Sequence, residues 1–348
     1  MKMNVSYKRL IAIFCLSVPL VLLSACKSKQ TASTPSVPVG PAFVADSAFA
    51  FCQAQCDFGP RTMNSEAHEQ CAQWIKKKFE QFGCSTTVQE ATLTGYDGTS
   101  LKATNIIATY RPSAADSTSA LSKILLCAHW DSRPWADNDP DSANWRKPVM
   151  AANDGASGVA VMLEIARLLQ QADSLKLGVD FICFDAEDWG TPQWDTTTQV
   201  QGDPWALGAQ YWSQQYVASA ANAADGANHY RFGILLDMVG GQGARFYKER
   251  FSSQYAPQIV SKMWAAARVV GYGSMFPDSD GEHITDDHVS VNTVAHIPCI
   301  DIIPFYPECS QSGFGPTWHT VNDDMQHIDR NTLQGVGQTV IQVLFSEQ

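Results

Sequence analysis

The sequence has no Cys-x-x-Cys pair and no cysteine and histidine spacing typical of a thiolate metal site, although it contains ten cysteines. Basic residues are also scarce, because 24 lysines and arginines stand against 35 acidic residues and give a formal net charge of −11. So acidic a chain argues against nucleic acid as a partner and against an anionic lipid surface. No internal repeat is visible. These absences argue against a thiolate metal site, a nucleic-acid-binding protein and a repeat architecture.

A long apolar run is also missing at the N-terminus, where the stretch from Leu10 to Leu23 is too short to cross a membrane. It follows a basic start and ends in Leu23-Ser24-Ala25-Cys26, which resembles the lipobox of a bacterial lipoprotein signal. The resemblance implies that residues 1–25 are a signal peptide and that Cys26 becomes a lipid-bearing N-terminus. We therefore expect a protein of the bacterial cell envelope, held on the periplasmic face by its lipid alone. Lys27 after the cysteine favours the outer membrane.

The remaining chain divides into a tether and one domain. Residues 26–42 are rich in Ser, Thr, Pro and Lys, which is typical of a flexible linker. The whole chain is 45% hydrophobic and 17% charged, so residues 43–348 can bury one large core. We predict a single domain there.

Short apolar runs alternate with helical patterns through this domain. The alternation predicts an α/β three-layer sandwich, in which helices flank a central twisted sheet that is mostly parallel. Two alternating stretches joined by Gly95-Tyr96-Asp97-Gly98 indicate a hairpin, and the hairpin makes the sheet mixed. Further along, one helix is expected from about Ser252 to Val270.

Three of the predicted strands end on polar residues. His129 ends the first run, Glu187 and Asp188 follow the run Val179–Phe184, and Asp237 follows a third. Because the carboxyl ends of neighbouring parallel strands meet at one edge of a sheet, these side chains are expected in one crevice. Adjacent Glu187 and Asp188 diverge, so one can bind a cation while the other handles protons.

Two further residues join this set. Asp154 opens a predicted helix and His319 lies on a late loop, so one crevice would hold two imidazoles and four carboxylates. So much like charge does not assemble without a cation. Nitrogen and oxygen ligands without a thiolate suit zinc.

Two other motifs are discounted. Asp137-x-Asp139-x-Asp141 has the spacing of a calcium loop, but Ser142 occupies the glycine position and Pro148 the position of the closing glutamate. We expect a solvated turn there. Gly240-Gly241-Gln242-Gly243 lacks the third glycine and the helix of a dinucleotide loop, and a strand-joining turn is the better interpretation.

Five motifs occur in a fixed order along the chain: His129-x-Asp131, Asn153-Asp154-Gly155, Asp185-Ala186-Glu187-Asp188, Leu236-Asp237 and His319-Thr320. In this order they resemble the signature of the zinc aminopeptidase superfamily, which also contains the animal-type glutaminyl cyclases. The resemblance extends from about Phe43 to the end of the chain. It implies a mixed sheet between helices, with metal at the carboxyl ends of the central strands.

The two branches differ in metal count. In the cyclases, the resemblance implies one zinc held by Asp154, Asp188 and His319. In the two-zinc aminopeptidases, His129 and Asp237 would bind a second zinc and Asp154 would bridge the pair. The alternative to a cyclase is therefore a two-zinc aminopeptidase.

Several features favour the cyclase branch. Trp318 precedes the ligand histidine, Trp194 follows Asp188 at nearly the cyclase spacing, and Asp286-Asp287-His288 matches an acidic loop. Two residues depart from the family pattern. Asp188 replaces the commoner glutamate, and Asp301 stands where the animal enzymes have a histidine. Two facing acids, Asp286 and Asp301, can share a proton through a short hydrogen bond.

The resemblance thus implies a glutaminyl-peptide cyclotransferase, which converts the N-terminal glutamine of peptides and proteins to pyroglutamate and releases ammonia. Glu187 would carry the proton from the attacking amine to the departing ammonia. Asp286 would hold the leaving nitrogen and Asp237 the α-amino group. Trp194 and Trp318 would wall the pocket and exclude water.

Overall fold

A mixed sheet lies at the centre of the part of the chain that the structure describes. This computed structural model describes residues 37–112, 122–172, 174–199, 202–222 and 230–347. Its strands are β1 (Ser85–Thr94), β2 (Ser100–Tyr110), β3 (Lys123–His129), β4 (Gly178–Phe184), β5 (Tyr230–Leu236) and β6 (Cys299–Ile302). The predicted signal peptide 1–25 and the lipidation residue Cys26 lie outside the described residues.

The order of the strands brings the acidic strand ends together. Across the sheet the order is β1-β2-β4-β3-β5-β6. The hairpin pairs β1 with β2, and β2 runs antiparallel to β4, whereas the pairs β4 with β3, β3 with β5 and β5 with β6 are parallel. The predicted mixed, mostly parallel sheet is confirmed. Its parallel strands therefore deliver their carboxyl ends to one edge.

Helices cover both faces of this sheet. They are α1 (Ala45–Cys56), α2 (Glu66–Gln81), α3 (Ala156–Leu169), α4 (Leu207–Asn222), α5 (Arg250–Tyr255), α6 (Pro257–Val269), α7 (Asp287–Thr293) and α8 (Arg330–Ser346).

The core divides according to the alternation of side chains along each strand. In β4, Val179 and Phe181 pack into the large cluster beneath α1, α3 and α8, whereas Ile182 and Phe184 pack beneath α4 and α7. The predicted three-layer α/β sandwich is thereby confirmed.

Two local predictions change. The single helix expected from about Ser252 to Val270 is two helices, because Pro257 lacks an N–H and begins α6 as its first residue.

Gly155 immediately precedes α3 at φ 106°, and no side chain caps that helix. A Cβ on Gly155 would lie 2.6 Å from the Asp131 carbonyl oxygen, so only glycine allows this close approach. Asp154 therefore does not cap α3, and its carboxylate is free to face the crevice.

Residues 37–45 lie against α8 through three glutamines spaced one helical turn apart. The amide groups of Gln334, Gln338 and Gln342 accept from the backbone N–H groups of Ala45, Phe43 and Val39 at 3.2, 2.8 and 2.8 Å. The same amides donate to backbone carbonyls of this segment. The end of the predicted tether, residues 37–42, is thus held on the domain. No helix in the described ranges is long and apolar enough to span a membrane.

Candidate metal centre and active site

The polar strand ends converge as two overlapping groups of metal-binding side chains. His129 at the end of β3 places Nε2 3.0 Å from Asp154 Oδ1 and 3.2 Å from Asp237 Oδ1. His319 places Nε2 3.2 Å from Asp188 Oδ1 and 3.5 Å from Asp154 Oδ2. In each group the ligand atoms lie within 4.8 Å of one another, and Asp154 belongs to both.

The chemistry of these atoms fits a divalent cation. Asp188 Oδ2 is buried and has no hydrogen-bond donor among the described residues, and Asp237 Oδ1 is buried beside His129 Nε2. Burial, and then the charges of neighbouring acids, raise the pKa of Asp188 and of Asp237 despite the nearby histidines. A dication would satisfy these oxygens and remove the repulsion between the carboxylates. The all-nitrogen-and-oxygen donor set suits zinc.

Glu187 lies in the same turn as Asp188 but belongs to neither of the two metal-binding groups. Its backbone N–H and that of Asp188 donate to the two carboxylate oxygens of Asp131 at 3.1 and 3.2 Å, which fixes the turn after β4. Burial raises the pKa of Glu187 well above its ordinary value, and the negative charges of Asp188 and Asp286 act in the same direction against His129. A carboxyl group with a raised pKa holds a proton more readily, which suits a residue that accepts a proton and returns it.

A cavity of about 230 Å³ opens onto both groups. Glu187, Asp237 and Asp286 supply its acidic side. The apolar side is formed by Met238, Ile303, Phe314, Trp205 and Trp318. The site therefore combines buried carboxyl groups with an aromatic wall.

The two tryptophans predicted to wall the pocket have different positions. Trp318 lines the cavity and stacks on His319 with ring centroids 3.7 Å apart. Trp194 does not line it. Trp194 instead stacks on Trp145 at 6.2 Å and lies beneath the Arg146 guanidinium. Trp205 takes the expected place, with its ring parallel to His319 at 6.1 Å.

Asp286 and Asp301, the two acids predicted to share a proton, differ in their position relative to the cavity. Asp286 lines the cavity, whereas Asp301 lies in β6 and is 1% exposed. Together with His288 they offer ligand-type atoms within 4.8 Å of one another. Burial, and then the charge of Asp237, raise the pKa of Asp286 to about 7, and burial raises the pKa of Asp301 well above its ordinary range. A proton shared between the two stays a prediction.

Comparison with known proteins supplies the family. A model described as peptidase family M28 matches residues 105–344. The chain belongs to peptidase family M28. Among solved structures of similar sequence, the M28 chain resembles a Bacteroides thetaiotaomicron glutaminyl cyclase bound to N-acetylhistamine, at 48% identity and TM-score 0.81, covering 89% of this chain and 100% of that one.

Other similar proteins carry both kinds of name. A Tannerella forsythia glutaminyl cyclase is 46% identical, with TM-score 0.80, and the match covers 88% of this chain and 100% of that one. A leucine aminopeptidase precursor from Bacteroides thetaiotaomicron is 48% identical, with TM-score 0.80, and the match covers 90% of this chain and 100% of that one. Aminopeptidase YwaD of Bacillus subtilis is 26% identical over 82% of this chain. The M28 chain spans 54% of the length of that curated relative.

The discounted acidic loop has a role that the sequence interpretation missed. Asp137 is 1% exposed, not solvated, and receives Arg133 Nε and an Arg133 terminal nitrogen at 2.7 and 2.8 Å. Its Oδ1 also lies 3.5 Å from His319 Nδ1. Arg133 in turn donates to Asp188 Oδ1 at 3.2 Å. This buried ion pair therefore supports two of the M28 metal-ligand candidates from behind.

Asp323 is a second missed support. Its carboxylate accepts the backbone N–H groups of Asn153 and Asp154 at 2.8 and 3.0 Å. It follows the His319-Thr320 motif closely, so one loop supplies a ligand candidate and fixes the position of another. An acid shortly after a ligand histidine was the available sequence signal.

Proposed function

We propose that this M28 protein is a glutaminyl-peptide cyclotransferase that acts on peptides and proteins with N-terminal glutamine. The observation that carries the proposal is the cavity with an aromatic wall, in which Asp286 and Glu187 lie beside the metal-ligand candidates Asp154, Asp237 and His319. Its volume of about 230 Å³ suits one side chain better than an extended peptide. The similarity to two bacterial glutaminyl cyclases at 46 to 48% identity supports it.

Asp154, Asp188 and His319 would hold one zinc ion in this reading. When bound, the ion supplies Lewis-acid polarisation of the glutamine side-chain carbonyl. Arg133 and Asp137 keep Asp188 and His319 oriented toward that position.

The side chains around the cavity suit the remaining steps. The substrate α-amine forms a bond to its own side-chain carbonyl carbon, and the bond from that carbon to the amide nitrogen breaks. Glu187 accepts a proton from the amine and returns it to the leaving nitrogen, which departs as ammonia. Asp237 orients the amine and Asp286 the leaving nitrogen, while Trp205 and Trp318 exclude water.

The test uses two substrates and one variant. A Gln-peptide is expected to yield ammonia and a pyroglutamyl product by mass spectrometry, whereas a Leu-peptide stays intact. Replacement Glu187→Gln keeps the shape but removes the base, so kcat is expected to fall by about 10² to 10⁴ while zinc is retained. Free amino acid released from both peptides, with no pyroglutamyl product, would refute the proposal.

A two-zinc aminopeptidase is the second candidate. The group of His129, Asp154 and Asp237 is complete, and the similar leucine aminopeptidase precursor favours it. Metal analysis separates the two, because one zinc per chain favours the cyclase and two favour the peptidase.

We also propose that the protein is anchored by lipid at Cys26 on the periplasmic face of a bacterial envelope, with the outer membrane as its site. The lipobox-like Leu23-Ser24-Ala25-Cys26 supports this. Fatty-acid labelling of the full chain is expected, and its persistence in Cys26→Ala would contradict the assignment.

A further inference from the structure

Glu249 is a buried carboxylate outside the cavity that has more hydrogen-bond donors than helix capping requires. It is 2% exposed and caps α5 by accepting the N–H groups of Phe251 and Ser252. It also accepts Ser252 Oγ at 2.7 Å and Ile284 N–H at 3.1 Å, and its Oε2 lies 3.2 Å from His288 Nε2. Burying a carboxylate is unfavourable unless it is fully paired, so these donors act together.

The donors come from three segments that meet at the site. Ser252 belongs to α5, and its Oγ also accepts the N–H of Asp301 in β6 at 2.9 Å. Ile284 lies in the loop that leads to Asp286, and His288 lies in the first turn of α7. Glu249 thus connects the strand of Asp301 with the loop that carries Asp286.

His288 extends this connection toward the cavity. Its Nδ1 faces Asp301 Oδ2 at 3.9 Å, while Nε2 faces Glu249. Both carboxylate oxygens of Asp301 and Oδ2 of Asp286 are buried and have no hydrogen-bond donor among the described residues. These acids are therefore oriented by the backbone that carries them. Glu249 fixes that backbone beside each acid, at Ile284 near Asp286 and, through the Ser252 hydroxyl, at Asp301 itself.

We propose that Glu249 is a positioning residue for the reaction, which fixes the Asp286 loop against β6 so that Asp286 meets the substrate's leaving nitrogen. This inference rests on the proposed cyclase function. Glu249 stays ionised: burial acts to raise its pKa, but hydrogen bonds from His288 and Ser252 lower it to about 2. A neutral amide in its place accepts fewer of these donors.

The test measures kcat and KM of Glu249→Gln on a Gln-peptide, with zinc content and hydrogen exchange of residues 282–292. Because a shift of about 1 Å can cost 10²-fold in rate, we expect kcat to fall at least about tenfold while KM changes less than about twofold. Exchange in 282–292 should rise and the zinc content should stay that of wild type. Asp329→Asn is the matched control, since Asp329 also caps a helix, α8, but does not line the cavity, and its kcat should stay unchanged.

Three outcomes separate the possibilities. A folded, zinc-loaded Glu249→Gln protein with wild-type kcat overturns the positioning role. If that variant does not fold, Ser252→Ala decides, because it removes the hydroxyl that joins Glu249 to the Asp301 N–H and leaves the Glu249 carboxylate in place. Unchanged kcat there also overturns the positioning role. A wild type that forms no pyroglutamate refutes the proposed function instead, and the exchange of 282–292 then still tests whether Glu249 holds the loop.

Discussion

Asp137→Asn is expected to weaken zinc binding although Asp137 does not touch the metal position. The change keeps the shape of the side chain but removes the charge that faces His319 Nδ1 at 3.5 Å. Burial opposes ionisation, yet the hydrogen bonds from Arg133 and His319 keep the pKa of Asp137 well below its ordinary value. Partners behind a ligand histidine typically contribute about 10- to 100-fold in metal affinity, or about 1.4 to 2.7 kcal/mol.

The loss also reaches Asp188. Arg133 is 1% exposed and donates to the Asp137 carboxylate with two nitrogens. In Asp137→Asn this carboxylate is lost, and Asp188 is then the remaining ion-pair partner of the Arg133 guanidinium among the described residues. Breaking a buried ion pair costs about 3 to 5 kcal/mol, so Tm is expected to fall as well.

Competition with a chromogenic chelator measures the zinc affinity directly, without reference to activity. Asp139→Asn is the matched control, because Asp139 is a buried acid of the same loop whose bonds go to Asn144 and to backbone N–H groups. Its zinc affinity should stay that of wild type. Equal zinc affinity for folded Asp137→Asn and wild type would show that the ligands do not depend on this ion pair.

Two further predictions concern the cavity wall and the N-terminal segment. Trp205→Ala removes ring contacts with His319 and the Arg133 guanidinium, so kcat/KM for a Gln-peptide should fall by about 10- to 100-fold, whereas Trp194→Ala should leave it nearly unchanged. Equal losses would contradict the assignment of the wall. Gln338→Leu removes two hydrogen bonds of about 1 kcal/mol each, so limited proteolysis within residues 37–45 should quicken about 30-fold with no change in kcat. Unchanged cleavage would show that α8 does not hold the segment.

The strand ends of the site were predictable because a strand has one geometry. An apolar run followed by acids places those acids at the sheet edge, and His129, Glu187 and Asp237 lie where the pattern predicts. Trp194 was chosen by sequence distance from Asp188, but a loop follows no fixed period. Gly190 allows the loop after Asp188 to pack directly against the Trp205 ring, since a Cβ at this position would lie 2.0 Å from that ring.

The supporting acids were missed for a related reason. Asp137, Asp323 and Glu249 act on residues brought near by the fold, and a carboxylate in a loop has many possible partners in a sequence alone. Arg133 and Asp137 carried a local signal, because they are four residues apart and opposite in charge. Burial gives that pair its importance, and a loop sequence does not predict burial.

The supporting residues also bear on which chemistry the fold performs. The metal-ligand candidates are shared by both branches that the sequence resembles, so they define a cation site rather than a reaction. The residues to which we assign the cyclase reaction lie around them: the aromatic wall of Trp205 and Trp318, and the acid Asp286 at the start of α7. Glu249 accepts the Ile284 N–H in the loop that leads to Asp286, and the Arg133 guanidinium lies over the Trp205 ring of the wall. We therefore expect variants of Glu249 to change kcat while zinc binding stays, whereas variants of Arg133 should change both, because Arg133 also donates to Asp188.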